Sequence, residues 1–363
     1  RRGGGAGPAG PPRHAATKID PNLTPEQRKA RLRQAVCNEI LTTEGDYVRD
    51  LEIIVQKFLK PIRAQALITD DELAGIFSNV EQLYQLSQQL YTAMCDAQAA
   101  GPPQSEAFGE LFERVAGVLR YYGDYCANQD NAVETYINVK ADNELADAFL
   151  TEVERGLRGL DLCGYLIKPV QRLCKYPLLV RELLKHTPED HADYAALKEA
   201  QRNVAAAVQA VNDYQEELER AARLRELQES YVALPHGFSL LGAERKLLLE
   251  GTVQENDKAA GTEEPRHLCL FNDLLLVAKP QTRAQLLTYK GHVLVAQMRL
   301  TDVPGVVASH GFILESTRDV VGMNKRPVFM FSCKSAAEKT KWMATLREAA
   351  DAAGSGTDAA PAP

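Results

Sequence analysis

Between Leu162 and Pro188 the apolar and polar positions of this chain separate cleanly around a helix. At about 100° per residue, Leu166, Val170, Leu173, Pro177 and Leu184 fall in one sector, and Lys168, Gln171, Arg172 and Lys175 gather on the opposite side. One face suits a core and the other a partner. Pro169 and Pro177 lie within the periodic stretch, where an interior proline costs about 3 kcal/mol. The pattern therefore predicts a kinked helix held together by its surroundings.

Helical periodicity extends over the whole first part of the chain. Thr24-Pro25-Glu26-Gln27 reads as a helix start, with Thr as cap and Pro in the first turn. Leu32, Val36, Ile40, Tyr47, Leu51, Ile54, Val55 and Phe58 then keep 3–4 spacing, predicting one long helix that ends near Pro61. Gly45 interrupts it at a cost of about 1 kcal/mol relative to Ala. A second helix is expected from Thr69 to Ala97, broken at Gly101-Pro102-Pro103, followed by Glu106 to Arg120 and Tyr121 to Leu150. A last helix runs from near Asp193 to Tyr231, burying Leu197, Ala200, Val204, Val208, Val211, Gln215, Leu218 and Ala222. Long helices with short breaks make a bundle.

After Pro235-His236-Gly237 the period changes to two. Leu247, Leu249, Gly251 and Val253 alternate, and His267 to Phe271 and Leu274 to Ala278 flank a hairpin turn at Asn272-Asp273. Further strands are expected at Val293 to Leu300, Phe312 to Ser316 and Val328 to Ser332. Ser335 to Glu338 then opens a helix with Trp342, Leu346 and Ala349 on its core side. The expected fold is multidomain: an elongated all-α bundle, then a β-barrel or sandwich with a C-terminal helix. Its expected bounds are a disordered leader at 1–23, the bundle at 24–232, a linker at 233–245, the strand domain at 246–353 and a disordered tail at 354–363.

Composition narrows the function. A length of 363 residues suits two domains, and a net charge of −7 with pI near 5.6 argues against nucleic-acid binding. Seven dispersed cysteines, none in a Cys-x-x-Cys pair, predict free thiols in a reducing compartment, the cytoplasm, and argue against zinc. The seven histidines lack ligand spacing, and no phosphate loop, nucleophile elbow or His-Glu-x-x-His motif occurs. No cofactor and no covalent chemistry are expected. The absence of an initiator Met predicts a piece of a longer protein.

The string from Tyr165 to Leu179, Tyr-Leu-Ile-Lys-Pro-Val-Gln-Arg-Leu-Cys-Lys-Tyr-Pro-Leu-Leu, resembles the third conserved region of Dbl-homology guanine-nucleotide exchange factors for Rho-type GTPases. Asn38 to Val48 resembles the first. The likeness runs from about Arg28 to Ala353, because the strand domain resembles the pleckstrin-homology fold that usually follows. The resemblance implies a protein that accelerates GDP release from a Rac-, Cdc42- or Rho-type GTPase without covalent catalysis; the alternative is an exchange-inactive scaffold. By resemblance Glu39 bonds the first switch of the GTPase, and Lys175 and Asn212 restrain the second. Gln171 supports that contact, and Asp213 adds a polar one. Lys168 and Arg172 lie on the same expected face. Ile167 stands where the family discriminates among GTPases, and isoleucine there resembles factors acting on Rac. Glu44 is read as structural.

The loop from Gln254 to Pro265 sets Glu255, Asp257, Glu263 and Glu264 against Lys258 alone, which opposes an anionic headgroup. Only weak phosphoinositide contact, through Lys279, Arg283 or Lys290, is expected, with recruitment to the membrane periphery.

Overall fold

A computed structural model describes residues 24–101, 107–157, 159–232, 234–242, 245–257, 262–281, 286–303, 310–317 and 328–354. Its contacts divide the chain into two compact units, Arg1–Glu216 and Glu217–Pro363.

The first unit is helical. Helix α1 (Pro25–Ile53) opens with the expected reciprocal cap, Thr24 accepting from the Gln27 amide while the Gln27 side chain accepts from the Thr24 amide. Helix α1 itself stops at Ile53, but the helical run goes on and closes at Ala64, just past the end expected near Pro61. A π-helical turn (Ile54–Leu59) joins it to α2 (Lys60–Ala64), with the Lys60 amide reaching back to Val55. The wider turn admits Pro61, which has no amide hydrogen to place and whose ring would crowd an ordinary α-helical carbonyl.

Further on, the expected Thr69–Ala97 helix is two, α3 (Asp70–Phe77) and α4 (Val80–Ala100). They part at Ser78, which takes a left-handed φ of 44°. Helix α5 (Phe108–Leu119) falls where Glu106–Arg120 was expected, while α6 (Tyr122–Ala127), α7 (Gln129–Asp142) and α8 (Glu144–Arg155) replace the single helix expected from Tyr121 to Leu150. Asparagines make these breaks. Asn143 caps α8 by accepting from the Ala146 amide (3.0 Å) and donates to the Leu67 carbonyl (2.8 Å), bonds that compete with a continuous helix.

The central stretch is likewise divided, into α9 (Leu162–Leu166) and α10 (Lys168–Lys185). The restart puts Pro169 in a first turn, where its missing amide hydrogen is harmless, and leaves only Pro177 inside the helix. It also rotates the buried stripe, which runs through Pro169, Arg172, Leu173, Tyr176, Val180 and Leu183. Helix α11 (Tyr194–Ser230) gives Leu197, Ala200, Val204 and Val211 to the helical core. Leu218 and Ala222, expected on the buried side, are exposed; the apolar contacts resume at Leu224 and Leu227 in the second unit.

Close approach explains two glycines. A Cβ on Gly45 would stand 2.8 Å from the Tyr91 ring, and one on Gly109 would stand 2.4 Å from the Ala196 Cβ. The helix-propensity cost at Gly45 is thus offset by packing.

The second unit is an eight-stranded sheet and a helix. Strands β1 (Tyr231–Val232), β2 (Leu247–Asp257), β3 (Thr262–Phe271), β4 (Leu274–Pro280), β5 (Leu287–Leu294), β6 (Met298–Asp302), β7 (Gly311–Ser316) and β8 (Val328–Ser332) lie in the order β1-β5-β4-β3-β2-β8-β7-β6. Among the described residues only β1–β5 pairs in parallel. The strand expected from Val293 to Leu300 is split by a 3-10 turn at Val295–Gln297. Helix α12 (Ala336–Gly354) places Trp342, Met343, Leu346 and Ala349 in one core with Leu268, Leu270 and Phe312. Cys269, Phe271 and Leu276 project into a second cluster with Leu224, Leu227 and Tyr231. Burial of β3 on both faces accounts for its unbroken apolar run from Leu268 to Phe271, which no period-two pattern would produce.

Candidate functional site

A buried ionic cluster sets the helices that carry the site. Glu44 of α1 is fully enclosed. Its carboxylate accepts from Arg172 Nε of α10 at 3.0 Å, from Arg172 Nη2, and from Tyr176 Oη at 3.1 Å. Arg172 Nη1 also donates to Thr43 Oγ1 at 3.0 Å, and its guanidinium lies 4.8 Å from the Tyr176 ring centre. Burial pushes the Glu44 carboxyl above the usual range, offset in part by Arg172, and Arg172 holds its proton more tightly than usual despite burial because Glu44 and Tyr176 face it.

Two further pairs extend this arrangement. Lys168 Nζ lies 3.7 Å from Asp50 Oδ2. Arg33 donates to Thr187 Oγ1 (3.3 Å) and Asp193 Oδ2 (3.2 Å), while Asp193 also accepts the Phe108 and Gly109 amides, each at 3.0 Å. The order of these pairs makes α1 and α10 antiparallel. It levels Glu39, about one turn from Glu44, with the turn of α10 that bears Lys175 and Leu178.

The short helix α6 ties the remaining elements. Tyr122 Oη lies 3.0 Å from Tyr47 Oη of α1, and Tyr125 Oη donates to the Leu166 carbonyl at 2.8 Å, just before Ile167. Asp124 accepts from Tyr214 Oη of α11 at 2.9 Å, and Gly123 leaves room for the Tyr214 ring. These contacts anchor the α11 segment that presents Asn212 and Asp213.

The side chains expected to meet a partner sort into three groups. Glu39, Gln171, Lys175 and Asn212 are exposed, and among the described residues none of their side chains has a hydrogen bond or ion pair. Asp213, also exposed, accepts from Gln209 at 2.8 Å, while Ile167 and Lys168 are half-buried. Arg172 corrects the expectation. It is 3% exposed and belongs to the packing between α1 and α10, because the restart at Lys168 turns it inward. Leu178, 52% exposed, was not among the expected contacts, although it lies three positions after Lys175 and that spacing puts both on one face.

On the second unit Lys279 Nζ is paired with Glu264 at 3.1 Å, and Lys290 is exposed. Arg283 and Lys258 lie outside the described residues. Arg266 pairs with both Glu255 (2.6 Å) and Glu264 (2.7 Å), so it is spent on the acids of its own hairpin. No helix among the described residues is long and apolar enough to cross a membrane.

Comparison with known proteins matches residues 36–212 to the RhoGEF domain and residues 241–349 to the SOS1/NGEF-like PH domain. The Myosin-M heavy chain of Dictyostelium discoideum is 31% identical over 338 residues, covering 89% of this chain and 19% of that protein. The phosphatidylinositol 3,4,5-trisphosphate-dependent Rac exchanger 1 protein of Mus musculus is 28% identical, covering 89% and 21%. Human Rho guanine nucleotide exchange factor 9 is 26% identical, covering 91% and 66%. The chain thus spans about a fifth of the first two relatives and 66% of the third. A solved structure of the Vav1 exchange factor superposes with TM-score 0.69 at 25% identity, covering 89% of this chain and 83% of that one. The PDZ-RhoGEF DH/PH domains, solved with GTP-gamma-S activated RhoA, share the fold with TM-score 0.69 at 23% identity, covering 92% and 97%. With the helical unit carrying the one match and the sheet unit the other, in this order, the chain carries a RhoGEF (DH) domain followed by a PH domain.

Proposed function

We propose that this chain is a guanine-nucleotide exchange factor for a Rho-family GTPase, and that Glu39, Gln171, Lys175 and Asn212 form the polar part of its contact surface. The observation that carries this is the contrast on α1 and α10. The Glu44–Arg172 and Arg33–Asp193 pairs that fix the helices are buried, while these four stand exposed and unpaired, with Lys175 on one face with an exposed Leu178. Polar groups left free next to an apolar anchor suit a protein partner. Asp213, Lys168 and Ile167 border that surface, and Arg172 acts on it only by holding α10 against α1.

The mechanism is differential binding. A nucleotide held at nanomolar affinity is bound by about 12 kcal/mol and leaves slowly. A surface that prefers the nucleotide-free GTPase must weaken the nucleotide by the same coupling free energy. Glu39 draws on the first switch, while Lys175 and Asn212, supported by Gln171, hold the second in a form that obstructs phosphate and magnesium. Nothing covalent happens, and an excess of GTP decides what rebinds.

Ile167 favours a Rac-type GTPase, with about 1–3 kcal/mol at stake in an apolar pocket. Membrane contact by the PH domain is weak and falls to Lys290, because Glu264 neutralises Lys279.

The test is release of fluorescent GDP from purified Rac-, Cdc42- and Rho-type GTPases, with wild type beside Glu39→Ala and Asn212→Ala. Wild type accelerates release from at least one GTPase, the Rac type most. Each variant loses about 10- to 100-fold, as expected for a charge-assisted or well-placed hydrogen bond worth about 1.5–3 kcal/mol, with unchanged thermal unfolding. Acceleration of none of the three overturns the proposal, and so does full activity in both variants.

A further inference from the structure

We propose that Glu250, His267 and Cys269, on one face of the β2–β3 ladder of the PH domain, form a binding site for a thiophilic transition-metal dication, with Zn²⁺ the natural candidate. Sheet register brings the three together. Glu250 is directly opposite Cys269, and Thr252 is opposite His267. His267 and Cys269 are two residues apart on β3, so both project from the same face as Glu250. One ligand atom from each lies within 4.8 Å of the other two, and His267 Nε2 is 4.0 Å from Glu250 Oε2. Tetrahedral zinc, with bonds of about 2.0–2.3 Å, sets one sulfur and two lighter ligands about 3.3–3.6 Å apart. Side-chain rotations of about an ångström therefore suffice, with the backbone unmoved.

The surroundings fit the role. Thr252 Oγ1 is 3.4 Å from His267 Nδ1, placed to accept its N–H in the tautomer that turns the Nε2 lone pair to the metal. Tyr231 Oη donates to Cys269 Sγ at 3.4 Å, a bond that supports a thiolate as well as a thiol. Thiolate, imidazole and carboxylate together select zinc-like ions over magnesium or calcium. Arg223 Nη2 lies 2.8 Å from each Glu250 oxygen, and its cation would repel a dication in an otherwise neutral site. Ionised Glu250 and Cys269 cancel the two metal charges, however, so one carboxylate oxygen can ligate while the other keeps Arg223. Glu250 and His267 retain 32% and 20% side-chain exposure, which leaves an entry path and room for water as fourth ligand. Binding moves the Cys269 proton to solvent. The bound ion would clip β2 to β3 and, through Glu250–Arg223 and Tyr231–Cys269, tie the last turns of α11 and β1 to the sheet.

Cobalt(II) titration of the full chain under reducing conditions tests this, because cobalt replaces zinc and shows a thiolate charge-transfer band. The expected result is a band that saturates at one equivalent, is bleached by added Zn²⁺, and is lost in Cys269→Ser. Thr252→Val should keep the band while binding about 10- to 100-fold more weakly. If Cys269→Ser does not fold, judged by circular dichroism, His267→Gln decides, since it too must abolish or shift the band. Absence of a band in wild type, or an unchanged band in the variant that decides, overturns the proposal.

Discussion

In the helical unit the deepest contacts include ions: Glu44 with Arg172, and Arg33 with Asp193. The core of the sheet unit, from Val253 to Ala349, is apolar throughout, and Ser316 is the one buried polar side chain of that unit among the described residues. The difference follows from how each kind of element is held in register. A strand is indexed to its neighbour by its backbone hydrogen bonds and by the alternation of its side chains, and a one-residue slip exposes the whole core face. Helices satisfy their backbones internally and present broadly similar apolar surfaces, so they can rotate or slide at low cost. A buried ion pair with one satisfactory partner removes that freedom, at a desolvation cost that hydrophobic packing would not incur. For the contact surface proposed on α1, α10 and α11, register between helices is the quantity that matters.

Separating stability from register gives the largest expected effect. Removing one partner, as in Arg172→Ala, leaves the Glu44 carboxylate buried and alone and should destabilise the helical unit by about 3–5 kcal/mol. Replacing both, as Glu44→Leu with Arg172→Met, should restore most of that stability, because apolar residues of similar volume replace the ions. Exchange activity should not return with it, since the pair nearest Glu39 and Lys175 is gone and only the outlying Lys168–Asp50 and Arg33–Asp193 pairs still index the helices. Urea unfolding followed by far-ultraviolet circular dichroism reads the helices. Trp342, the only tryptophan in the chain and buried among the sheet residues, reads the other unit and should be little changed. Full exchange activity in the double variant would show that the ion pair serves stability alone.

The same contrast marks what was legible beforehand. Helix starts were plain at Thr24 and Thr69, because a cap is a local signal complete within four residues. Helix breaks were less so: a π-turn at Ile54–Leu59 interrupts the first helix ahead of Pro61, and Asn143 breaks a helix by bonding to Leu67, far away in sequence. The exposed residues proposed for the contact surface, Glu39, Gln171, Lys175 and Asn212, came from resemblance, and periodicity alone would have placed Arg172 with them. The error at Arg172 is physical in origin, since the restart at Lys168 changes the phase of the helix that a single periodicity assumes. In the sheet, β3 was expected from His267, yet it begins at Thr262 and carries Pro265 opposite Gln254. Glu250, His267 and Cys269 were invisible as a cluster, because cross-strand register brings them together and ligand spacing along the chain does not.

Acidification should sharpen the comparison further, with a smaller effect and opposite signs. In the sheet unit burial holds the His292 imidazole below its ordinary value, helped by Arg245 and opposed by Asp273. Its Nδ1 lies 2.7 Å from Tyr289 Oη, and its ring centre is 5.1 Å from that of Phe238. A histidine with a lowered folded value contributes stability above its unfolded pKa of about 6.5, and that contribution is lost as the pH falls through the folded value. In the helical unit burial raises the carboxyls of Glu44, Asp50 and Asp193, against the pull of Arg172, Lys168 and the Asp193 hydrogen bonds. Raised carboxyls contribute most at low pH and least once the pH has risen through their folded values. Going from pH 7 to pH 5 should therefore lower the urea midpoint read by Trp342 and take nothing from the helical transition through these carboxyls. In His292→Gln the acid-induced drop of the Trp342 midpoint should shrink. An equal drop in wild type and variant would assign the acid sensitivity of the sheet unit to other groups, and a helical transition that weakens in parallel would mean that the two units do not unfold separately.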